Sequence, residues 1–305
     1  MGKIVDLGLD LGNGFTKYGQ GLKFASKVKK GSLSNIAGIN KTSEVYGVTY
    51  NEEDWIVGEG NSFIGADRYF EEAYEMTLLT AVALATSKRR NPVEVNLLLG
   101  VPVEHYDELA DKIQEHYENI GVKQIFVNDR LHIIDIKSVR VFIEGALPIK
   151  DNDDTHMITI DVGAGTINMI EWENQEIINK YTNNGSFNDM YAEISSYLNS
   201  KHKTRLNPDK VEKLMGESTM QNLKGETVDI SDMYDIVRAT IGNILSYTVK
   251  FDFAGCKKIK VFGGGAKETF KYWQEKLPKA EMVEDFQFVN QQVYQAVAES
   301  LSDEE

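Results

Sequence analysis

The chain alternates short apolar runs with glycine-rich turns and longer helical stretches. Its opening run, Ile4-Val5-Asp6-Leu7-Gly8-Leu9-Asp10-Leu11, predicts a buried strand. Gly12-Asn13-Gly14 is a hairpin signal, with a return strand over 15–20 and a third strand over 22–28. Residues 30–65 are rich in Gly, Ser, Asn and Thr, with strand-like pieces at 44–49 and 55–57, and predict a small inserted subdomain. Tyr74, Leu78, Ala81, Val82 and Ala85 recur at helical spacing, which predicts a helix over 68–86. Residues 93–101 form a continuous apolar strand that ends at Pro102. An acidic amphipathic surface helix over 104–119 follows, then strands over 122–127 and 131–143. Glu144 opens a short segment that runs to Pro148.

A polar break, Lys150-Asp151-Asn152-Asp153-Asp154, falls near the midpoint and predicts two domains, 1–150 and 151–305. Strands follow over 156–162, 166–172 and 176–181. Ser186 is the expected cap of a helix running to about residue 200. Residues 201–230 are polar and predict a second inserted subdomain. It holds a short helix over 208–215, capped by Asn207 with Pro208 in its first turn. A long helix is expected over 230–253, with Ser231 or Asp232 near its start. A strand over 259–262 then leads through Gly263-Gly264-Gly265 into a helix, and 291–301 is the last helix. Strands alternating with helices in this way point to the α/β class.

At 305 residues the length suits two domains of roughly 150 residues each. Charge narrows the functional classes. There are 33 basic against 47 acidic residues, a net charge of −14. Such a surface repels phosphate backbones over most of its area, so direct nucleic-acid binding is not expected. Lys23, Lys27, Lys29 and Lys30 form the one local basic patch considered for such contact. The single cysteine, Cys256, rules out a disulfide scaffold and a zinc site of several thiolates, and fits a cytoplasmic location. His105, His116, His132, His156 and His202 share no ligand spacing. No run approaches the roughly 20 apolar residues of a membrane span, and neither a targeting segment nor a membrane partner is expected.

The chemistry lies in a repeat. Leu9-Asp10-Leu11-Gly12-Asn13-Gly14-Phe15-Thr16 in the first half is matched by Ile160-Asp161-Val162-Gly163-Ala164-Gly165-Thr166-Ile167 in the second. Each is an apolar strand, an Asp, Gly-x-Gly, a Thr and another strand. A phosphate needs close backbone approach and several N–H donors, which calls for glycine in the turn. An Asp at the strand end suits a divalent cation held through water, because Mg²⁺ gives up its waters reluctantly. Two such loops facing each other would clamp a polyphosphate between two domains. Gly263, Gly264 and Gly265, between a strand and a helix, would let a sugar and first phosphate sit at a helix N-terminus. No G-x-x-x-x-G-K-[ST] loop occurs.

These motifs resemble the actin-type ATPase superfamily in order and spacing, from residue 3 to about 300. The opening Leu11-Gly12-Asn13-Gly14-Phe15-Thr16-Lys17 is similar to the ParM/StbA-like bacterial actins, a family of plasmid-segregation filament proteins. The resemblance implies duplicated actin-like, ribonuclease-H-like domains with a nucleotide cleft between them. It also implies ATP or ADP with Mg²⁺, and ATP hydrolysis coupled to head-to-tail filament assembly. It makes Lys17 a lysine that reaches the phosphates, and Asp10 and Asp161 the holders of metal-bound water. Gly12, Asn13, Gly14 and Thr16, with Gly163, Ala164, Gly165 and Thr166, become the phosphate loops. Glu144 takes the place of the water-polarising acid at the family's connecting helix, with Asp161 beside it in catalysis. Glu212 and Lys213 fall in the segment that contacts adenine and ribose. Actins proper carry a histidine where this chain has Asn168. If the protein segregates plasmids, its acidity predicts a separate DNA-binding adaptor. The other function weighed is a small-molecule, sugar-type kinase of the same superfamily.

Overall fold

The computed structural model describes residues 4–19, 21–33, 44–63, 65–147, 156–185 and 187–302. The expected break at 150–154, the Ser186 cap and part of the 30–65 segment lie outside them. The chain divides into two compact units, Met1–Pro148 with Phe288–Glu305, and Ile149–Gln287.

In the first unit, β1 (Val5–Leu11), β2 (Phe15–Tyr18), β3 (Leu22–Ala25) and β4 (Lys27–Lys30) open the chain. After them come β5 (Tyr46–Tyr50), β6 (Glu53–Val57), β7 (Asn61–Ser62) and helix α1 (Glu72–Ala85). A 3₁₀ turn over Ala66–Phe70 leads into that helix. β8 (Val93–Val101), α2 (Tyr106–Glu118), β9 (Lys123–Val127) and β10 (Arg130–Ile143) follow. The strands make one sheet in the order β3-β2-β1-β8-β10-β9-β5-β6-β4-β7. β8 runs parallel to both β1 and β10, whereas β1, β2 and β3 form an antiparallel meander. β5 pairs with β9, so residues 44–63 continue this sheet rather than standing apart as an inserted subdomain. Nine α1 residues from Tyr74 to Ala83 are buried, which accounts for a helix apolar on most of its circumference. α2 buries only Leu109, Ile113 and Tyr117, one stripe at a four-residue spacing.

The second unit begins with β11 (His156–Val162), β12 (Ile167–Glu173), β13 (Glu176–Asn183) and α3 (Phe187–His202). The short helix α4 (Pro208–Leu214) and a two-stranded sheet of β14 (Thr219–Gln221) and β15 (Thr227–Asp229) occupy the expected second insertion. Asn207 caps α4, its Oδ1 accepting from the Lys210 N–H at 3.1 Å. Next are α5 (Met233–Tyr247), β16 (Lys258–Phe262), α6 (Ala266–Lys276) and β17 (Ala280–Met282). α5 is shorter than the pattern predicts. The Thr248 hydroxyl donates to the Leu245 carbonyl at 3.0 Å, and the Phe251 N–H donates to the Thr248 carbonyl at 2.9 Å, turning the chain out of the helix. The sheet order is β13-β12-β11-β16-β17, with β11, β16 and β17 parallel. This is the order and strand direction of β3-β2-β1-β8-β10, so the duplication seen in the glycine motifs extends to five strands of each sheet. The fold is α/β, built on two sheets that share this five-strand arrangement.

The last helix, α7 (Val289–Ser302), corrects the expected 151–305 division: it belongs to the first unit. The reason is an open strand edge. β2 pairs with β1 only at Asp10 and Leu11, which leaves the earlier backbone groups of β1 without a strand partner on that side. Glutamines of α7 take that place. The Gly8 N–H donates to Gln295 Oε1 at 2.9 Å, Gln295 Nε2 donates to the Asp6 carbonyl at 3.0 Å, and Gln291 Nε2 donates to the Gly8 carbonyl at 3.2 Å. Gly8 permits this approach, because a Cβ there would overlap the Gln295 backbone. Gly8→Ala is therefore expected to cost about 3 kcal/mol through overpacking, lowering the thermal midpoint by roughly 10 °C. Thermal unfolding checks this; an unchanged midpoint would mean that α7 shifts freely on β1.

Candidate functional site

Each unit carries a short hairpin led by a buried Asp. In the first, the β1–β2 register sets Asp10 opposite Lys17. Lys17 Nζ donates to Asp10 Oδ2 at 2.6 Å, and the two residues are only 9% and 3% exposed. A buried charge needs a partner of this kind. Below the turn, the Thr16 and Ser26 hydroxyls are 2.9 Å apart, and the Ser26 N–H donates to the Gly14 carbonyl at 3.0 Å. Gly12 and Gly14, half-buried, flank Asn13.

Asn13 is held by a residue that the sequence reading overlooked. Arg68 Nη1 donates to Asn13 Oδ1 at 2.6 Å. Arg68 Nη2 donates to the Tyr69 hydroxyl at 3.2 Å and lies 3.8 Å from Glu144 Oε1. Arg68 is 3% exposed and Glu144 7%. Burial alone would weaken the guanidinium's hold on its proton; Tyr69 and Glu144 more than offset this and push it upward. Burial likewise pushes the Tyr69 hydroxyl up to about 12, although Arg68 draws it down. Glu144 stands in a turn after β10, with its N–H donating to the Val101 carbonyl at 2.7 Å. Gly145 follows at φ +92°, and its N–H donates to Asn290 Oδ1 at 3.2 Å. Described residues 144–147 contain no helix, so the expected start of a connecting helix at Glu144 is corrected to a glycine turn.

In the second unit, β11 and β12 set Asp161 opposite Asn168. Asn168 Oδ1 accepts from the Thr182 hydroxyl at 2.8 Å, and its amide donates to Thr166 Oγ1 at 3.4 Å. The Gly163 N–H closes the turn on the Thr166 carbonyl at 2.9 Å, and a Cβ at Gly163 would stand 2.6 Å from that same oxygen. The Ala164 carbonyl accepts from the Asn188 N–H at 3.3 Å, which docks the first turn of α3 on the hairpin beside half-buried Gly165.

The third glycine motif meets this hairpin directly. Gly263, at φ +98°, packs so tightly on Asp161 that a Cβ would strike its carboxylate and come within 2.6 Å of the Val162 backbone N. The Gly265 N–H donates to the Val162 carbonyl at 2.9 Å, and α6 begins at the next residue. Gly264 is exposed, and a Cβ there would meet nothing within 4 Å. The second and third sequence motifs are thus brought together in one unit. Glu212 and Lys213 lie on the exposed side of α4. Burial, with the charges of Glu212 and of Glu268 in the first turn of α6, raises the Tyr191 hydroxyl on α3. Lys213 gains no further placement than its exposed face.

Other candidates resolve simply. In the basic patch, Lys29 pairs with Glu59 and Lys30 with Glu53, both at 2.6 Å, and Lys23 sits 4.3 Å above the Phe15 ring. Cys256 is buried, and burial raises its thiol. Among the described residues no group of three or more His, Cys, Asp or Glu could hold a metal, and no helix is long and apolar enough to cross a membrane.

Residues 8–146 match the family of actin-like proteins at its N-terminal domain. No curated protein matches the chain by sequence. Among solved structures, apo pSK41 ParM is 18% identical with a TM-score of 0.69, covering 98% of each chain. A 15-stranded ParM filament from Clostridium botulinum is 19% identical with a TM-score of 0.78, covering 98% of this chain and 100% of that one. An archaeal actin homologue in complex with ADP is 17% identical with a TM-score of 0.76, covering 97% and 100%. Over residues 8–146 the chain is similar in sequence to the N-terminal domain of actin-like proteins, and along nearly its whole length it shares the fold of the ParM and archaeal actin-homologue structures.

Proposed function

We propose that the protein binds and hydrolyses ATP and assembles head to tail into filaments that segregate plasmid or other DNA. The observation that carries this reading is the duplicated hairpin, in which each unit ends a central strand in a buried Asp followed by Gly-x-Gly. Gly12, Asn13, Gly14 and Thr16 in one unit, and Gly163, Ala164, Gly165 and Thr166 in the other, would present backbone amides to phosphate. The absence of a side chain at Gly163 leaves room for that turn. Lys17 would reach the phosphates. Asp10 holds its ammonium at the hairpin, beside the glycine turn. Gly263, Gly264 and Gly265 would take the sugar and first phosphate at the start of α6, with Glu212 and Lys213 toward the nucleoside.

Asp10 and Asp161 fit a Mg²⁺ held through water. Each is a lone buried carboxylate, whereas an all-protein cage would need several. When bound, Mg²⁺ neutralises phosphate charge. Glu144 would polarise the attacking water, supported by Asp161, since hydrolysis depends chiefly on positioning and charge stabilisation. Asn168, tied to Thr182 and Thr166, replaces the histidine of actins proper and has no general-base capacity. Assembly follows from open head-to-tail contacts, which build helical filaments when they do not close. The ADP complex and the ParM filament among similar structures support nucleotide binding and self-association as properties of this fold. With a net charge of −14, the chain would engage DNA through a separate basic adaptor.

Light scattering and pelleting with Mg²⁺ and each nucleotide, followed by phosphate release, test the reading. Scattering should rise with triphosphate and decay as phosphate appears. Turnover stimulated by sugars without scattering would favour the small-molecule kinase instead. Glu144→Ala should bind ATP but release phosphate about 100-fold more slowly, leaving long-lived filaments. Normal release in that variant removes Glu144 from the mechanism.

A further inference from the structure

We infer that Arg68 is a positioning residue that ties the first glycine hairpin to Glu144, so that one guanidinium sets both the phosphate grip and the acid that acts on water. The inference rests on the ATPase reading above and deepens it. Its basis is geometry within the first unit. Arg68 sits in the 3₁₀ turn that enters α1, 55 residues from Asn13 in the chain, and spans the tip of one hairpin and the end of β10. Its two Nη atoms reach different elements: Nη1 donates to Asn13 Oδ1 at 2.6 Å, and Nη2 donates to the Tyr69 hydroxyl at 3.2 Å and lies 3.8 Å from Glu144 Oε1. The guanidinium carbon lies 4.8 Å from the Tyr69 ring centroid.

Three facts separate this from an ordinary core arginine. Arg is rarely this buried unless paired; here it is 3% exposed, and its charged partner is Glu144, the residue proposed to act on water, rather than a structural acid. Its hydrogen bond to Asn13 is on the side chain between the two hairpin glycines, so the turn's conformation depends on it. Its separation from Glu144 exceeds hydrogen-bond distance, so charge rather than a hydrogen bond links the two. Tyr69, whose hydroxyl also takes a donor from Arg68, closes the other side of the fork. Arg68 thus acts through Asn13 and Glu144, the two groups its Nη atoms face.

The test is a double-mutant cycle in steady-state ATP hydrolysis by the full chain with Mg²⁺, using Arg68→Gln, Glu144→Gln and the pair. Arg68→Gln should lower kcat about 10-fold or more in the parent and raise KM for ATP. In the Glu144→Gln background it should leave kcat nearly unchanged while still raising KM, since the Glu144 arm is already lost. Equal loss of kcat in both backgrounds would overturn the inference and make Arg68 act independently. Should Arg68→Gln fail to fold, Arg68→Lys serves. It keeps a cation beside Glu144 but not the fork, so KM should rise with kcat largely kept, and wild-type values for both would overturn the inference. If the parent itself turns over no ATP, the ATPase reading falls and this inference with it. Turnover with additive losses rejects the inference alone.

Discussion

A carboxylate buried at the end of a central strand has to be answered by a donor or by close backbone, and both units of this protein are organised around that demand. In the first unit the answer is local: the hairpin register returns Lys17 to Asp10. In the second it is assembled from a distance. Asp161 is opposed by Asn168, and its other side is closed by Gly263, about a hundred residues later, whose missing side chain lets the turn into α6 press against it. The same topology therefore braces its buried Asp in two ways, by the hairpin's own lysine in one unit and by a distant glycine turn in the other.

Around these hairpins each unit spends its other contacts on holding a glycine turn still. Glycine turns are entropically costly to order. Thr16 with Ser26, Arg68 with Asn13, and Asn188 with the Ala164 carbonyl each fix a turn from outside. The glutamines of α7 do a related service for β1, supplying hydrogen bonds along an edge where β2 has ended. The strand carrying Asp10 is thereby braced by the two ends of the chain. Preorganised donors of this sort are what phosphate chemistry uses most.

Much of this was legible in the sequence. β8 and β11 read as strands because central parallel strands are buried on both faces and appear as apolar runs. Both hairpins and the turn before α6 read from glycine spacing, and α2 from its single stripe. What escaped did so for physical reasons. β7, β14, β15 and β17 are two or three residues long and are made by their neighbours, not by their own pattern. The 44–63 segment looked like an insertion because its pairing partner, β9, comes some seventy residues later. The periodicity of α7 announced a helix but could not say which sheet would receive it. Arg68 left one faint trace: a cation just ahead of a helix whose first turn holds Glu72 and Glu75, the end where the helix dipole disfavours positive charge. Such a misplaced charge signals a tertiary partner without naming it.

The proposed function requires each Asp-led hairpin for Mg²⁺-dependent nucleotide binding. Calorimetric titration of Mg²⁺–ATP into the parent, Asp10→Ala and Asp161→Ala tests it most directly, with the titrations repeated in EDTA. The account predicts tight, Mg²⁺-dependent binding by the parent and loss of that dependence in each variant separately. Undiminished Mg²⁺-dependent binding in either variant would contradict it, leaving that hairpin as a structural turn.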